Sequence, residues 1–307
     1  MIISSIDIGT NTVLLLIADV EPVTKEIRTI LNEYRIPRVG KGLLPKQPIS
    51  SDKIQELFII LDEYKKIISE FRSKHIIATA TNAFRIASNA DEIVREIKTK
   101  FNIDVNIVAG KDEARLSFMG AVGDNSNNNK SMVIDIGGGS TEIIFGIDNK
   151  IIFNESYQIG VVSGTEKFLM NQPPLYEDIV KFRDYIKQTL NNVNGKAFSP
   201  ERTIAIAGTP TTLACMKIGI DHYDEFAIEG SILKKDELLE FTQILSELTT
   251  DGIKTKYKSI VEGRADVLLA GTIILHLILD YFNVEEVLVS TKGIRYGAIV
   301  DIMQSLV

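Results

Sequence analysis

Residues 132–147 read M-V-I-D-I-G-G-G-S-T-E-I-I-F-G-I, and no other stretch narrows the fold as far. An apolar run leads into Asp135, an alternating run leaves from Glu142, and three glycines and a Ser-Thr pair lie between them. That pattern predicts a β-hairpin closed by a tight polar turn. Glycines carry no side chain to hold a ligand off. The N–H groups of Gly137, Gly138 and Gly139 can therefore converge on an anionic group, joined by the hydroxyls of Ser140 and Thr141. Asp135 and Glu142 bracket the turn, placed for a metal ion or a water. Taken alone, the same residues suit a plain Gly-rich hairpin equally well.

The N-terminus repeats the plan. Residues 2–8 form an apolar strand pattern ending on Asp7, Gly9, Thr10, Asn11 and Thr12 make a polar turn, and a second apolar run follows. Asp7 and Asp135 are separated by close to half the chain, which points to two related halves rather than short tandem repeats. Two such Asp-Gly turns facing each other would make a phosphate clamp.

A chain of 307 residues has room for two domains. Its 45% hydrophobic and 24% charged residues are those of an ordinary globular protein. The single cysteine, Cys215, excludes an intramolecular disulfide and a multi-cysteine metal site and suits a reducing compartment as a buried thiol. The N-terminal apolar stretch has no basic flank and is interrupted by Asp7, and the longest apolar run, 267–279, contains His276 and is too short to span a bilayer. The expectation is a cytoplasmic protein with no membrane partner. A net charge of −7 argues against nucleic-acid binding, yet local Arg, Lys and divalent cations can still make a cleft that takes a polyanion.

Along the chain, strands are expected at 2–8, 12–20 and 26–37. A helix capped by Ser51-Asp52 follows, with Ile54, Leu57, Phe58, Leu61, Tyr64 and Ile68 on one stripe. After a strand at 75–79, Arg85 lies one turn into a helix, within reach of a phosphate; by position alone a surface arginine is the plainer reading. Further helices are expected at 91–101, 111–122, 163–170, 176–192, 234–248 and 261–282, with strands at 104–108, 151–156, 203–207 and 286–290. Gly208 and Thr209 open another helix in a third small, hydroxyl-rich turn suited to an anion. The polar stretch 124–130 is the expected domain boundary, giving domains 1–124 and 125–292 with a final helix, 293–307, returning to the first.

Seven short motifs then carry a resemblance. Asp7-Ile8-Gly9-Thr10-Asn11-Thr12, Thr81-x-Ala83-x-Arg85-x-Ala87-x-Asn89, Gly110-x-x-Glu113-Ala114-Arg115, Asp135 to Glu142, Gly208-Thr209, Arg264-Ala265-Asp266-Val267 and Gly293-x-Arg295-x-Gly297 occur in this order. The sequence resembles the exopolyphosphatase/guanosine pentaphosphate phosphohydrolase (Ppx/GppA) family, in its short form without the C-terminal helical domain. The resemblance implies an α/β fold of two ribonuclease-H-like domains of the actin-like ATPase superfamily, with the site in the cleft between them. It implies hydrolysis of a terminal phosphoanhydride of inorganic polyphosphate or of guanosine pentaphosphate, with Mg²⁺ or another divalent cation. A homodimer is compatible with it. Glu113 falls on the family's catalytic glutamate, Glu142 on a partner that orients water and binds metal, Asp7 and Asp135 on metal-proximal aspartates, and Arg85 on a phosphate-binding arginine. Leu14 and Ser163 depart from the basic or polar residues many members carry there, which favours short chains. Without the resemblance, Glu113 reads as a helix-surface carboxylate. The rival functions are an ATP-dependent small-molecule kinase of the same superfamily, a non-catalytic guanosine pentaphosphate sensor, and an actin-like assembly protein. On this reading Glu113→Gln should cost turnover, and Arg85→Ala should cost binding alone.

Overall fold

A computed structural model describes residues 1–123, 130–191, 193 and 198–305. They divide into two compact units, Met1–Gly120 with Ile294–Val307, and Ala121–Gly293. The expected boundary at 124–130 lies, apart from Lys130, outside the described residues.

In the first unit β1 (Ile2–Ile8), β2 (Val13–Val20) and β3 (Ile27–Arg35) form an antiparallel meander. Then come α1 (Ser51–Glu70), β4 (His75–Ala80), α2 (Asn82–Ile86), α3 (Ala90–Phe101), β5 (Val105–Ile107) and α4 (Gly110–Val122). The sheet order is β3-β2-β1-β4-β5, with β4 parallel to β1 and β5 parallel to β4. Side chains alternate across the sheet with the strand period of two. Ile6, Ile8, Val13, Leu15 and Ile17 pack with Leu57, Leu61 and Tyr64 of α1 and Ile93 and Ile97 of α3. Ile3, Leu16, Ala18 and Val20 pack instead with Tyr296, Ile299 and Met303 of the C-terminal helix.

The second unit repeats the scheme. It contains β6 (Lys130–Ile136), β7 (Thr141–Ile147), β8 (Lys150–Tyr157), α5 (Val161–Phe168), α6 (Tyr176–Leu190), β9 (Arg202–Ile206), α7 (Gly208–Ile218), α8 (Glu225–Ile228), β10 (Ile232–Lys234), α9 (Lys235–Ser246), α10 (Thr250–Tyr257), α11 (Leu268–Tyr281) and β11 (Glu286–Val289). The chain then returns to the first unit as α12 (Ile294–Ser305). The order β10-β11-β9-β6-β7-β8 places β6, β7, β8, β9 and β11 as β1, β2, β3, β4 and β5 are placed, with β10 added at one edge. Each unit is a ribonuclease-H-like α/β domain.

The structure corrects several expected boundaries. Ser50, not Ser51, stands at the N-cap of α1, and it makes no side-chain capping bond. The helix expected over 261–282 begins only at Leu268, because Gly263 takes φ +72°, a left-handed conformation that interrupts the helical backbone. Lys234 belongs to β10, a three-residue strand too short to show periodicity. The helices α8 and α10 were missed; both are capped by short polar side chains, Asp224 accepting from the N–H groups of Phe226 and Ala227, and Thr249 from that of Gly252.

Candidate functional site

The two hairpin turns have one geometry. Gly9 N–H donates to Thr12 O and Gly137 N–H to Ser140 O, each at 2.9 Å. A Cβ on Gly9 would stand 3.0 Å from Thr12 O, and one on Gly137 3.1 Å from Ser140 O, so a side chain at either position would press on the carbonyl that closes its turn. The next three N–H groups, of Thr10, Asn11 and Thr12 in one unit and of Gly138, Gly139 and Ser140 in the other, donate to no described residue. Each turn thus presents a row of three backbone donors, the arrangement that binds an anion.

Their surroundings differ. In the first unit the turn is braced from outside: Arg38 N–H donates to Asn11 O and Gly40 N–H to Thr10 O. In the second, the carbonyls of Gly137 and Gly138 accept the first N–H groups of α5, from Val161, Val162 and Ser163. A Cβ on Gly160 would come within 2.3 Å of Gly138 O, which fixes why glycine precedes that helix. Ser163 Oγ accepts from Gly160 N–H at 3.0 Å and so serves α5 rather than a ligand.

Asp135 stands directly opposite Glu142 in the β6–β7 ladder, and Glu142 opposite Ser156 in β7–β8. Glu142 is fully buried, with Ser156 Oγ donating to its Oε1 at 2.6 Å. Asp7, also buried, stands opposite Leu14. Among the described residues no three of His, Cys, Asp and Glu gather to hold a metal by themselves.

β4 delivers Thr81 and α2 beside the first turn, where Thr81 N–H donates to Ile8 O. From α2, Arg85 reaches the first turn of α4: its Nη1 donates to Val108 O at 3.2 Å and to Glu113 Oε2 in an ion pair. Both side chains are largely buried. Arg85 Nη2 is buried as well and donates to no described residue. Sequence reasoning named both residues and missed that they touch; their separation along the chain carries no sign of the contact.

The third turn departs from expectation in its side chains. Ala207 holds φ +76°, a conformation that costs a non-glycine residue about 1–3 kcal/mol and that swings Gly208 into the start of α7. A Cβ on Gly271 would meet Thr209 Oγ1 at 2.1 Å, so the Thr209 hydroxyl faces α11 and only its backbone is left for an anion. Thr141 is committed similarly, its hydroxyl donating to Ile159 O at 2.6 Å.

Residues 16–306 match the model of the Ppx/GppA phosphatase family. The chain belongs to that family. A bifunctional 3-dehydroquinate synthase/phosphatase of Fusobacterium nucleatum is 33% identical over 309 residues, which cover 97% of this chain but 46% of that protein. Exopolyphosphatase 2 of Mycobacterium tuberculosis is 30% identical over 288 residues, 89% of this chain and 88% of its own. The crystal structure of an exopolyphosphatase from Cytophaga hutchinsonii superposes with a TM-score of 0.90 at 29% identity, covering 99% of this chain and 98% of that one.

Other motif residues of this family member have visible structural work. Arg115 pairs with Asp301 through both terminal nitrogens, at 2.5 and 3.2 Å, and Arg295, buried, bonds Asn32 and Leu15 O. Both tie α12 to its own unit. A Cβ on Gly297 would lie 1.8 Å from Leu116 O, so α4 and α12 cross in near backbone contact. Cys215 is buried, and desolvation raises its thiol pKa, which leaves it inert. No described helix is long and apolar enough to cross a membrane.

Proposed function

We propose that this chain hydrolyses the terminal phosphoanhydride of inorganic polyphosphate, and by the same step the 5′-terminal phosphate of guanosine pentaphosphate. The observation that carries the reading is Arg85, which holds Glu113 with one terminal nitrogen and keeps the other buried with no partner among the described residues. A guanidinium forked in this way can bind a phosphoryl oxygen and a carboxylate at once. Phosphoanhydride cleavage asks mainly for positioning and charge neutralisation. Glu113 takes a proton from the attacking water, the new P–O bond forms in line with the breaking anhydride, and orthophosphate leaves the shortened chain. The backbone donors of the first unit's turn, on Thr10, Asn11 and Thr12, hold non-transferred phosphate.

Mg²⁺ or a similar cation fits the carboxylates present. Such an ion is usually held by one or two carboxylates, with water and substrate phosphates completing its shell, and an all-protein cage is not required. Asp135 and Glu142 would hold it in the second unit, and Asp7 would do so in the first. When bound, it supplies neutralisation of the polyphosphate charge.

The test is phosphate release measured side by side on polyphosphates of graded length, guanosine pentaphosphate and ATP. Release from polyphosphate or guanosine pentaphosphate without an acceptor is expected. Phosphorylation of a small acceptor at the expense of ATP, with polyphosphate untouched, would assign the chain to the kinases instead.

A further inference from the structure

Three buried side-chain atoms beyond the C-terminal ends of β1 and β4 lack a hydrogen-bond partner: Asn11 Oδ1 in the Asp-Gly turn, and Asn82 Oδ1 and Arg85 Nη2 on α2. Leaving such groups unpaired is costly, so a cluster of them in a folded protein marks a place where something else completes the bonds. Asn82 is the informative member. It is only 4% exposed, and no described residue accepts from its amide nitrogen. It stands three residues before Arg85 on α2, so the two side chains share a face of that helix, and Arg85 leads directly to Glu113.

The type of orphan decides the role. Of the free groups described here, the N–H row of the turn and Arg85 Nη2 are donors suited to phosphoryl oxygens, whereas Asn11 Oδ1 and Asn82 Oδ1 are acceptors, and of these two only Asn82 shares a helix with Arg85. An amide oxygen is useless to a phosphate. A water that gives one proton to a carboxylate has a second proton, and an acceptor for it fixes the direction of the attacking lone pair. We infer that Asn82 Oδ1 is that acceptor, and that Asn82 and Glu113 together hold the attacking water while Arg85 Nη2 holds the phosphoryl group. This rests on the hydrolase reading above.

The test uses the full chain with Asn82→Ala and Asn82→Asp beside the wild type, each checked for an unchanged thermal midpoint, with kcat and KM measured on short polyphosphate. Removing the acceptor should lower kcat at least about tenfold at nearly constant KM, the pattern of an interaction made in the transition state. Asn82→Asp keeps an acceptor in place and adds a negative charge, so kcat should be largely rescued while KM rises. Should Asn82→Ala fail to fold, the aspartate variant still decides: a kcat as low as a tenfold loss would overturn the inference. Wild-type kcat and KM in Asn82→Ala would overturn it, and so would a rise in KM alone, which would mean that the amide is turned and donates to phosphate. A wild type that releases no phosphate from any of these substrates would remove the hydrolase reading and this inference together; an active wild type with an indifferent Asn82 removes only the latter.

Discussion

Leu14 and Glu142 hold the same place in the two units. Each stands opposite the aspartate that opens its hairpin turn, Leu14 facing Asp7 and Glu142 facing Asp135. Two turns of one geometry therefore differ in charge by a full carboxylate at this position. The second unit sets two carboxylates opposite each other across the ladder; the first sets Asp7 opposite a partly buried apolar side chain.

Placing a cation at Leu14 should change substrate preference without harming the fold. The side chain is partly buried, so Leu14→Arg is expected to cost about 1 kcal/mol of stability. An added guanidinium near the first turn should lower KM for long polyphosphate several-fold more than for tripolyphosphate, with the gain fading as salt rises. An unchanged ratio of the two KM values would show that position 14 does not meet the chain.

The cation expectation has a direct check. Exhaustive chelation should abolish phosphate release and added Mg²⁺ should restore it, because carboxylates at positions 7, 135 and 142 would otherwise repel a polyanion. Full turnover in the chelated protein would remove the metal role from all three.

Much of this was legible in the sequence, for identifiable reasons. The hairpins could be read because their signal is local: an apolar run, an aspartate, a glycine turn, another apolar run. The close backbone approaches at Gly160 and Gly297 were not readable, because nothing in the local sequence says which chain segment comes near. The side-chain commitments were not readable. Thr141 and Thr209 look like phosphate ligands in the one-dimensional chain, yet one is spent on Ile159 O and the other on packing against Gly271. The contact of Arg85 with Glu113 depends on where β4 ends and α4 begins in space, and no periodicity encodes that.

Gly160→Ala should separate site from scaffold. The new methyl would collide with Gly138 backbone, which flexible side chains cannot relieve, so the Gly turn must shift while the rest of the second unit keeps its core. Activity should fall by at least tenfold, with a loss of stability of about 1–3 kcal/mol. Gly297→Ala meets Leu116 backbone instead, and should act chiefly on the thermal midpoint by prising α12 from α4.

His276 should make stability depend on pH on the acid side. Burial in α11 lowers its pKa below the usual 6.5; Arg183 and Lys235 push the same way, and Asp280 and Asp236 oppose. Since the folded state binds the proton less readily than the unfolded chain, this contribution is full above about pH 6.5 and is lost as pH falls towards the depressed value. Midpoints of urea unfolding at pH 7 and pH 5 should therefore differ less in His276→Gln than in the wild type. Parallel slopes in the two proteins would show that the imidazole titrates normally.

The ion pair revises what Arg85→Ala should do. If Arg85 only bound phosphate, its loss would raise KM and leave kcat alone. It also fixes Glu113, whose carboxylate would lose its charged partner inside a largely buried site, so both parameters should worsen. Glu113→Gln keeps the size of the side chain and removes the proton acceptor; kcat should fall by roughly the 10²–10⁴-fold of general-base catalysis, with KM steady or improved as one negative charge leaves. Arg85→Lys should recover little, because one ammonium cannot reach carboxylate and phosphoryl oxygen as a planar fork does. The decisive measurement is the double variant. Once Glu113 can no longer act as a base, positioning it is worth nothing, so removing Arg85 in the Glu113→Gln background should raise KM with little further loss of kcat. Losses in kcat that multiply independently would mean that the two residues act apart, and that their contact in the free protein is structural only.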